Sequence, residues 1–532
     1  MTLHARLLLA TALTGLSGFA HAQDMRFSPV PFAADDAAKR AVTASASVDM
    51  AGQTLPLAFH TILRSGDNLG DQTFGALMGK EGKPVGQTSA NPDFTSLLPV
   101  GGKLFSVSQF EENPAALYLP ELSQAADGTL TALSTKPIDL SGVDGIWEPC
   151  AGSVTPWNTH LGSEEYPDDA RAIEAAQSLA DIDKDTLPFA RYFGLDPATM
   201  TLDAFRAAFN TYRYGFATEI SVTEAGAATV VKHYSMGRIS MEMANVMPDH
   251  KTAYLTNDGT NTDLYRFVAD KEGDLSSGRL YALKWTQTSA DKGGAAALGW
   301  VDLGHADDAA IKAAIDKGTR FADIFDTADF NADGSCPEGF SAANAEGRLE
   351  CLKVKPGMEM IASRLETGRY ASMLGATSEF RKMEGQAFDP ATNRLYVAIT
   401  QIAKGMTDGD EKADLAGRND IRLEKNDCGA VYEMQMDGAF VGTRMKAVLV
   451  GQPADYAADA PEAGNACDVN GIASPDNLTF IPGQNHLIIA EDSEEGHQND
   501  VVWSMDMASG ELTRILSTPY GAEATSVDWY PN

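Results

Sequence analysis

The chain has 532 residues, a formal charge of −33 and 44% hydrophobic residues. The hydrophobic content is ample for a large core, and the acidic excess argues against nucleic acid and anionic membrane surfaces as partners. Such an excess of carboxylates keeps a protein in solution and can also bind hard cations such as Ca²⁺. The length alone would allow roughly three or four domains, but β architectures of this size can also form one unit.

The first 22 residues are predicted to be a secretory signal peptide. A short basic start with Arg6 precedes an apolar run from Leu7 to Phe19, and Ala20-His21-Ala22 is a typical cleavage pattern. The run is shorter than the roughly 20 apolar residues that span a bilayer, although an N-terminal anchor is the alternative. We therefore expect cleavage after Ala22, a periplasmic or secreted protein without membrane association, and a single domain over residues 23–532.

The five cysteines predict two disulfides and one free thiol. Cys336 and Cys351 lie close together in a loop-like stretch, and Cys428 and Cys467 flank a strand pattern. Those two pairs are the predicted bridges, as expected for an exported protein. Cys150 is left over beside carboxylates, so it is either a small buried residue or a thiolate with a function, such as binding a metal.

A repeated layout predicts an all-β protein, specifically a β-propeller. Similar segments begin at Lys103, Ala253, Arg394 and His486, and the copy at Arg394 continues at Cys428 after a polar insert. Each has apolar strands separated by acidic or polar loops and by turns that contain glycine. Spacing of this kind indicates propeller blades, and we predict six of them. The loops at one face of a propeller converge on its central channel, so the acidic loops would point carboxylates at one another. Ordinary hairpins in a β-sandwich are the alternative.

Helical segments interrupt the repeats. Two amphipathic, alanine-rich stretches begin at Asp168 and Thr201, and they predict a helical insertion around residues 167–213. Shorter helices are predicted near residues 33 and 307, and residues 410–424 are predicted to form a charged surface loop. We expect the helices to cover one face of the propeller.

The segment around Cys150 is the strongest candidate for chemistry. Cys150 follows Glu148 and precedes the adjacent pair Glu164 and Glu165. A thiolate together with carboxylates suits iron or zinc better than Ca²⁺ alone.

Three later segments add charged candidates. They are Arg238 with Glu242, then Arg381, Lys382 and Glu384, and finally Asp476 with Asn477 and the acidic residues Asp492, Glu494 and Glu495. Taken singly, each set has a structural alternative as an ion pair, a solvated charge or a turn. The sequence has no glycine-rich dinucleotide fingerprint, no P-loop and no nucleophile elbow, so nucleotide cofactors and serine-hydrolase chemistry lack support.

Together, the four segments resemble the signature of PhoX-type alkaline phosphatases. In order, the matching stretches are Cys150-Ala151-Gly152, Thr155-Pro156-Trp157, Glu164-Glu165, Gly237-Arg238 with Glu242, Glu384, and Ser474-Pro475-Asp476-Asn477. They resemble that family's C-x-G, T-P-W, E-E, G-R-x-x-H-E, R-P-E-D and S-P-D-N motifs. The resemblance extends from about residue 60 to the end of the chain.

The resemblance implies a six-bladed propeller that holds Fe³⁺ and Ca²⁺ in its central channel and hydrolyses phosphate monoesters. The implied metal ligands are Cys150, Glu242, Glu384 and Asp476, with Glu164 or Glu165 as another. The candidates for stabilising charge on the phosphoryl group are Arg238, Arg381 and Lys382. The expected partners are small-molecule phosphate esters, and we expect a monomer.

Some positions depart from the family pattern. Met241 replaces the family's histidine, Lys382 replaces its arginine, and Gly385 rather than aspartate follows Glu384. The signal peptide also lacks a twin-arginine motif, which suggests export before folding and metal loading outside the cell. Two rival functions stay open: a calcium-dependent propeller hydrolase for lactones or phosphotriesters, which would not need Cys150, and a calcium-stabilised binding propeller without catalysis.

Overall fold

The structure is a computed structural model that describes residues 25–414, 418–493 and 496–531. The predicted signal peptide lies outside the described residues, as do Glu494 and Glu495.

Short strands precede the main sheets. They are Met25–Phe27 (β1), Thr43–Ala44 (β2), Ser47–Met50 (β3), Gln53–Pro56 (β4), Asn68–Leu69 (β5), Gln72–Thr73 (β6), Ala76–Met78 (β7) and Pro84–Thr88 (β8). Strands β1, β3 and β4 form one antiparallel sheet, β5 pairs with β6, and β7 pairs with β8. Strand β2 instead joins the last large sheet.

The described residues contain four larger antiparallel sheets, of which the nine-stranded one comprises two blades, so we number five blades in all. Blade one has Pro92–Val100 (β9), Lys103–Phe110 (β10), Ala116–Tyr118 (β11), Glu121–Gln124 (β12) and Leu130–Ser134 (β13). Blade two has Ser153–Val154 (β14), His160–Gly162 (β15), Ala217–Val222 (β16) and Ala228–His233 (β17). Blade three has Met241–Val246 (β18), Thr252–Asn257 (β19), Tyr265–Lys271 (β21), Asp274–Ser289 (β22) and Ala295–Asp307 (β23), with Thr260–Thr262 (β20) between β19 and β21.

The remaining strands complete the ring. Phe325–Ala328 (β24), Ser341–Ala345 (β25) and Arg348–Val354 (β26) form a small separate sheet, and Phe380–Arg381 (β27) pairs with β20. Blade four has Met383–Asp389 (β28), Arg394–Ile399 (β29), Ala430–Met436 (β30) and Gly442–Val450 (β31). Blade five has Pro475–Ile481 (β32), His486–Glu491 (β33), Val501–Asp506 (β34) and Leu512–Ser517 (β35). Strand β23 pairs with β31, so blades three and four are hydrogen-bonded to each other.

The predicted β-propeller is confirmed, and its sixth sector is irregular. The innermost strands follow one another around the centre in the order β9, β14, β18, β28 and β32. The C-terminal segment lies between the last and the first of them, since Thr479 of β32 donates to Asp528 at 3.4 Å and Ser526 donates to Asp93 of β9 at 3.1 Å. The sheet that contains β1 packs with Ala524 against blade five. The sector is irregular because, among the described residues, its inner segment pairs with no strand.

The helices are short and lie in the connections. They are Asp36–Lys39 (α1), Ala170–Ala175 (α2), Leu202–Ala208 (α3), Asp308–Asp316 (α4), Phe321–Ile324 (α5), Glu359–Leu365 (α6) and Thr367–Leu374 (α7). The 3₁₀ helices are Ser141–Val143, Leu179–Asp181, Leu187–Phe193, Thr211–Arg213, Tyr234–Met236, Asp291–Gly293 and Lys404–Met406. Among the described residues, no helix combines the length and apolar character needed to cross a membrane.

The insertion between β15 and β16 carries α2 and α3. Asp169 caps α2 by accepting from the Arg171 N–H, and Thr201 caps α3 by accepting from the Ala204 N–H. The insertion has its own aromatic core, in which Trp147 stacks on Phe189 with ring centroids 5.3 Å apart. Since Trp147 lies three residues before Cys150, this core supports the segment that carries the free thiol.

Both predicted disulfides are confirmed. Cys336 bonds to Cys351, and Cys428 bonds to Cys467. The second bridge ties the start of β30 to the segment that leads into β32. Cys150 is free and buried.

Candidate metal centre

One acidic residue stands at the same position of four blades. The second residue of the innermost strand is Asp93 in β9, Glu242 in β18, Glu384 in β28 and Asp476 in β32. Because these strands run side by side around the centre, their first residues lie at one end of the channel.

In each of these four blades, the strand that pairs with the innermost strand ends beside the acidic residue. The pairing register joins Pro92 to Phe110, Met241 to Asn257, Met383 to Ile399, and Pro475 to Glu491. The residue after the second strand is therefore at the same end of the channel. These residues are Glu111, Asp258, Thr400 and Asp492.

Blade two supplies different chemistry at this end. Cys150 lies three residues before β14, and Glu165 lies three residues after β15. Their loops run side by side, because the Glu165 N–H donates to the Glu148 carbonyl oxygen at 3.0 Å. The Cys150 N–H donates to Ser163 Oγ at 3.0 Å, which fixes the position of the thiol.

The side chains at this end form one continuous cluster, which we call the acidic cluster. Its overlapping groups, each with ligand atoms within 4.8 Å of one another, are Asp93, Glu111 and Cys150; Cys150, Glu165 and Glu242; Glu242, Glu384 and Asp476; and Asp476, Asp492 and Glu523. Cys150 Sγ lies 3.5 Å from Glu242 Oε1. The acidic cluster thus combines ligands from every sector of the propeller.

Burial and mutual repulsion disfavour simultaneous ionisation of these groups. Burial, reinforced by the neighbouring carboxylates, raises the pKa of Glu111 to about 8 and that of Glu523 to about 10. Burial also raises the pKa of Glu384 to about 7, with Asp258 adding to the effect, although Lys382 opposes it. The pKa of the Cys150 thiol is raised well above its usual value by burial and then by Asp93. A bound cation removes this conflict.

The donor set fits metal ions. Carboxylate oxygens are the usual ligands of Ca²⁺, and a thiolate extends the set to a transition metal such as iron. Asp93 Oδ2 and Asp476 Oδ1 are buried without a hydrogen-bond partner among the described residues. Buried carboxylate oxygens are normally paired, so these two atoms are available as ligands.

Lys382 is the cation inside this site. Its Nζ lies 3.2 Å from Asp258 Oδ2 and 3.5 Å from Glu384 Oε1. Burial opposes the charge, but Glu384 and Asp258 hold the pKa of Lys382 well above its usual value. The Tyr166 hydroxyl also donates to Asp258, so this carboxylate links the lysine to an aromatic ring at the edge of the site.

Glu164 lies outside the acidic cluster. Its Oε1 accepts from Lys232 Nζ at 2.7 Å and from the Trp147 N–H at 2.9 Å. Its Oε2 accepts from the backbone N–H groups of Gly215 and Phe216 at 3.0 and 3.1 Å. Of the two predicted alternatives, the structure therefore brings Glu165 to the other candidates and uses Glu164 to hold the helical insertion.

Arg238 is also directed away from the acidic cluster. Its guanidinium donates to the carbonyl oxygens of Tyr214 at 2.9 Å and Asp168 at 2.5 Å, and to Thr211 Oγ1 at 3.0 Å. It also lies over the ring of Tyr212. These contacts join the insertion to the turn before β18, so the geometry gives Arg238 a structural position.

Arg381 lies at an open cavity next to the acidic cluster. The cavity has a volume of about 530 Å³. Its lining residues are Arg381, Lys382, Thr400, Gln401, Lys425, Asp427, Cys428, Pro453, Ala466, Cys467, Ser474, Asp492 and Gly496. Through Lys382 and Asp492 the cavity is an access route to the acidic cluster.

Sequence reasoning did not select several members of the site. Asp93, Glu111, Asp258 and Glu523 were not among the candidates, and Asp492 was noted without a role. The repeated pattern could have identified three of these residues, because Glu111, Asp258 and Asp492 each follow the second strand of a blade. Glu523 belongs to the irregular C-terminal segment and has no equivalent in the repeats.

A comparison with protein families identifies the family of this chain. The model of the alkaline phosphatase PhoX family matches residues 122–532. The chain belongs to the PhoX alkaline phosphatase family. This membership supports a phosphatase. The match begins after Asp93 and Glu111, so it does not include these two residues of the acidic cluster.

Among the solved structures, that of a PhoX protein shows the same fold. Pseudomonas fluorescens PhoX in complex with vanadate, a transition state analogue, aligns with a TM-score of 0.59 at 16% identity, over 95% of this chain and 91% of that one. A putative 6-phosphogluconolactonase from Bacteroides uniformis aligns with a TM-score of 0.31 at 12% identity, over 84% of this chain and 92% of that one. The periplasmic gluconolactonase of Pseudomonas aeruginosa aligns with a TM-score of 0.32 at 11% identity, over 83% of this chain and 89% of that one. No curated protein sequence matches the chain.

Proposed function

We propose that this protein is a secreted, metal-dependent phosphatase that hydrolyses phosphate monoesters at the acidic cluster. The observation that carries the proposal is the continuous set of mostly buried carboxylates around a free thiol, with Lys382 at its edge. The vanadate complex of the Pseudomonas fluorescens relative supports phosphoryl chemistry on this fold. The two disulfides fit the proposed secretion.

The acidic cluster would hold Fe³⁺ and Ca²⁺. Cys150, Glu165 and Glu242 would bind iron, because they place a thiolate beside carboxylates. The groups around Asp476 contain only carboxylates and would bind Ca²⁺. When bound, the metal ions would polarise the phosphoryl oxygens as Lewis acids and offset the negative charge of the ligands.

The residues of the chain orient and neutralise the substrate. Lys382 would donate to a phosphoryl oxygen, because its ammonium group borders both the acidic cluster and the cavity. Asp258 keeps Lys382 charged and fixes its position. Substitution of lysine for the family's arginine preserves the charge but removes the planar, bidentate fork.

The proposal is tested on protein exported to the periplasm and purified without chelators. Elemental analysis and the turnover of p-nitrophenyl phosphate are measured on the same sample. We expect iron, calcium and turnover together in the wild-type protein. Calcium without iron, together with no turnover, would contradict the proposal.

A further inference from the structure

The cavity beside the acidic cluster is larger than the phosphate group alone requires. Its volume of about 530 Å³ is within the range of about 300–1,000 Å³ that is usual for pockets of small organic ligands. Its lining includes Lys382 and Asp492, which border the acidic cluster. The lining also includes Arg381, Gln401 and the pair Lys425 and Asp427. The cavity can therefore also hold the part of a substrate that leaves after cleavage.

Arg381 is a cation without a carboxylate partner in this wall. Its Nη1 donates to Thr260 Oγ1 at 3.1 Å and its Nε donates to Gln401 Oε1 at 3.4 Å, both of which are neutral acceptors. No carboxylate of the described residues forms an ion pair with it. The other two cations of the wall are paired, Lys382 with Asp258 at 3.2 Å and Lys425 with Asp427 at 2.6 Å. In a chain of charge −33, an unpaired arginine at an acidic site indicates an anionic ligand.

The rest of the wall argues against an aromatic leaving group. Among its described lining residues, none is phenylalanine, tyrosine or tryptophan. The apolar part consists of Pro453, Ala466 and the Cys428–Cys467 disulfide, which offer no stacking surface for a ring. The wall fits a polar, aliphatic group better.

We propose that the preferred substrates are phosphate monoesters whose aliphatic leaving group carries a second anion, a carboxylate or another phosphate, bound by Arg381. This inference rests on the proposed phosphatase function and specifies its substrate class. A guanidinium can bind a carboxylate or a phosphate through two parallel hydrogen bonds. The reaction stays a simple hydrolysis: the P–O ester bond breaks, the hydroxyl of water goes to phosphorus, and its proton goes to the leaving oxygen.

The test compares two substrates that differ by one anion. 3-Phosphoglycerate and glycerol 3-phosphate have the same ester and similar size, but only the first has a carboxylate. In the metal-loaded wild-type protein we expect kcat/KM to be about tenfold higher for 3-phosphoglycerate, mainly through a lower KM. In Arg381→Gln the ratio of the two kcat/KM values should fall to near one, and in Arg381→Lys it should fall only in part, because the charge remains but the fork is lost.

A matched control removes an equal charge outside the cavity. Arg422→Gln should leave the substrate ratio of the wild-type protein intact, because Arg422 is exposed and does not line this wall. A ratio near one in the wild-type protein, or an equal loss for both substrates in Arg381→Gln, would overturn the substrate class and leave the phosphatase function standing. Failure of the wild-type protein to hydrolyse either substrate or p-nitrophenyl phosphate would overturn both.

Discussion

Lys382 and Asp258 form an ion pair of 3.2 Å at the border between the acidic cluster and the cavity. They come from blades that follow each other around the channel, and the Tyr166 hydroxyl donates to the same aspartate. The lysine is therefore held in place before any substrate binds. A preorganised cation stabilises a charged transition state without the cost of reorientation.

This arrangement predicts that Lys382 is needed for turnover. Lys382→Met should lower kcat/KM for p-nitrophenyl phosphate by about 100-fold, because the charge beside the phosphoryl group is lost. Lys382→Arg should retain most of the activity. The control is Lys312→Met on α4, where the lysine forms only an exposed pair with Asp316. Equal activities of Lys382→Met and the control would contradict this role.

The free thiol should matter for metal content more than for folding. Cys150→Ser should reduce bound iron and lower turnover by about 100-fold, because a hydroxyl is a much weaker ligand than a thiolate. Ser153→Ala is the matched control in the same segment. It removes a buried hydrogen bond to the Ala244 carbonyl oxygen of 2.7 Å and should cost about 1 kcal/mol of stability while iron and turnover remain. Full activity and iron in Cys150→Ser would instead favour a calcium-dependent hydrolase.

Substitutions of the adjacent residues Glu164 and Glu165 should affect different properties: stability for Glu164 and turnover for Glu165. Glu164→Gln breaks a fully buried ion pair with Lys232 and should reduce the free energy of unfolding by about 3 kcal/mol. Glu165→Gln should leave stability closer to the wild-type value but remove a ligand and most of the turnover. Chemical denaturation and p-nitrophenyl phosphate assays on both variants check this difference. The double variant Glu164→Gln with Lys232→Met should regain part of the lost stability, because no buried charge is left unpaired.

The sequence predicted the propeller through its repeat, and local motifs selected Glu242, Glu384 and Asp476, which the structure brings together. A blade position that recurs places Glu242, Glu384 and Asp476 at one rim, and local patterns and motifs are sufficient to find them. The two disulfides were also predictable, since four of five cysteines formed two plausible pairs.

Two predicted site residues, Glu164 and Arg238, lie outside the acidic cluster, because the local sequence does not determine the direction of a side chain. Glu164 and Glu165 are neighbours, and only the direction of the chain after β15 decides which of them reaches the channel. Arg238 occupies a motif position, but its direction depends on the insertion, whose carbonyl oxygens it contacts. The position of Glu523 depends on how the C-terminal segment packs between blades five and one. This long-range packing does not follow from the repeated pattern.

A buried histidine outside the site should give stability a distinct pH dependence. His233 Nε2 lies 2.8 Å from Glu219, and its Nδ1 lies 3.4 Å from Asp308. Burial alone would lower its pKa, but Asp308 and Glu219 raise it to about 9. Because the pKa in the folded state exceeds the unfolded value of about 6.5, this contribution is complete below pH 6.5 and disappears as the pH rises through 9.

The measurement is urea denaturation of metal-loaded wild-type protein and His233→Gln at about pH 6 and about pH 9.5. The stability advantage of the wild-type protein over the variant should shrink by up to about 3 kcal/mol between the two values. Effects of other titrating groups cancel in this difference. An advantage that is the same at both pH values would show that folding does not raise the pKa of His233.

Metal removal should destabilise the protein through the acidic cluster itself. Chelation leaves Glu242, Glu384 and Asp476 with ligand atoms within 4.8 Å of one another and only Lys382 beside them, so the melting temperature should fall by several degrees. Glu242→Gln should have opposite effects in the two states. It should lower metal content and turnover in the loaded protein, because a ligand is lost, but it should raise the melting temperature of the chelated protein, because one of the repelling carboxylates is gone.

Glu433→Gln is the control, since this glutamate pairs with Arg394 and Lys446 on blade four, away from the acidic cluster. If Glu242→Gln instead lowers the melting temperature of the chelated protein, repulsion in the cluster is not the cause of the metal dependence.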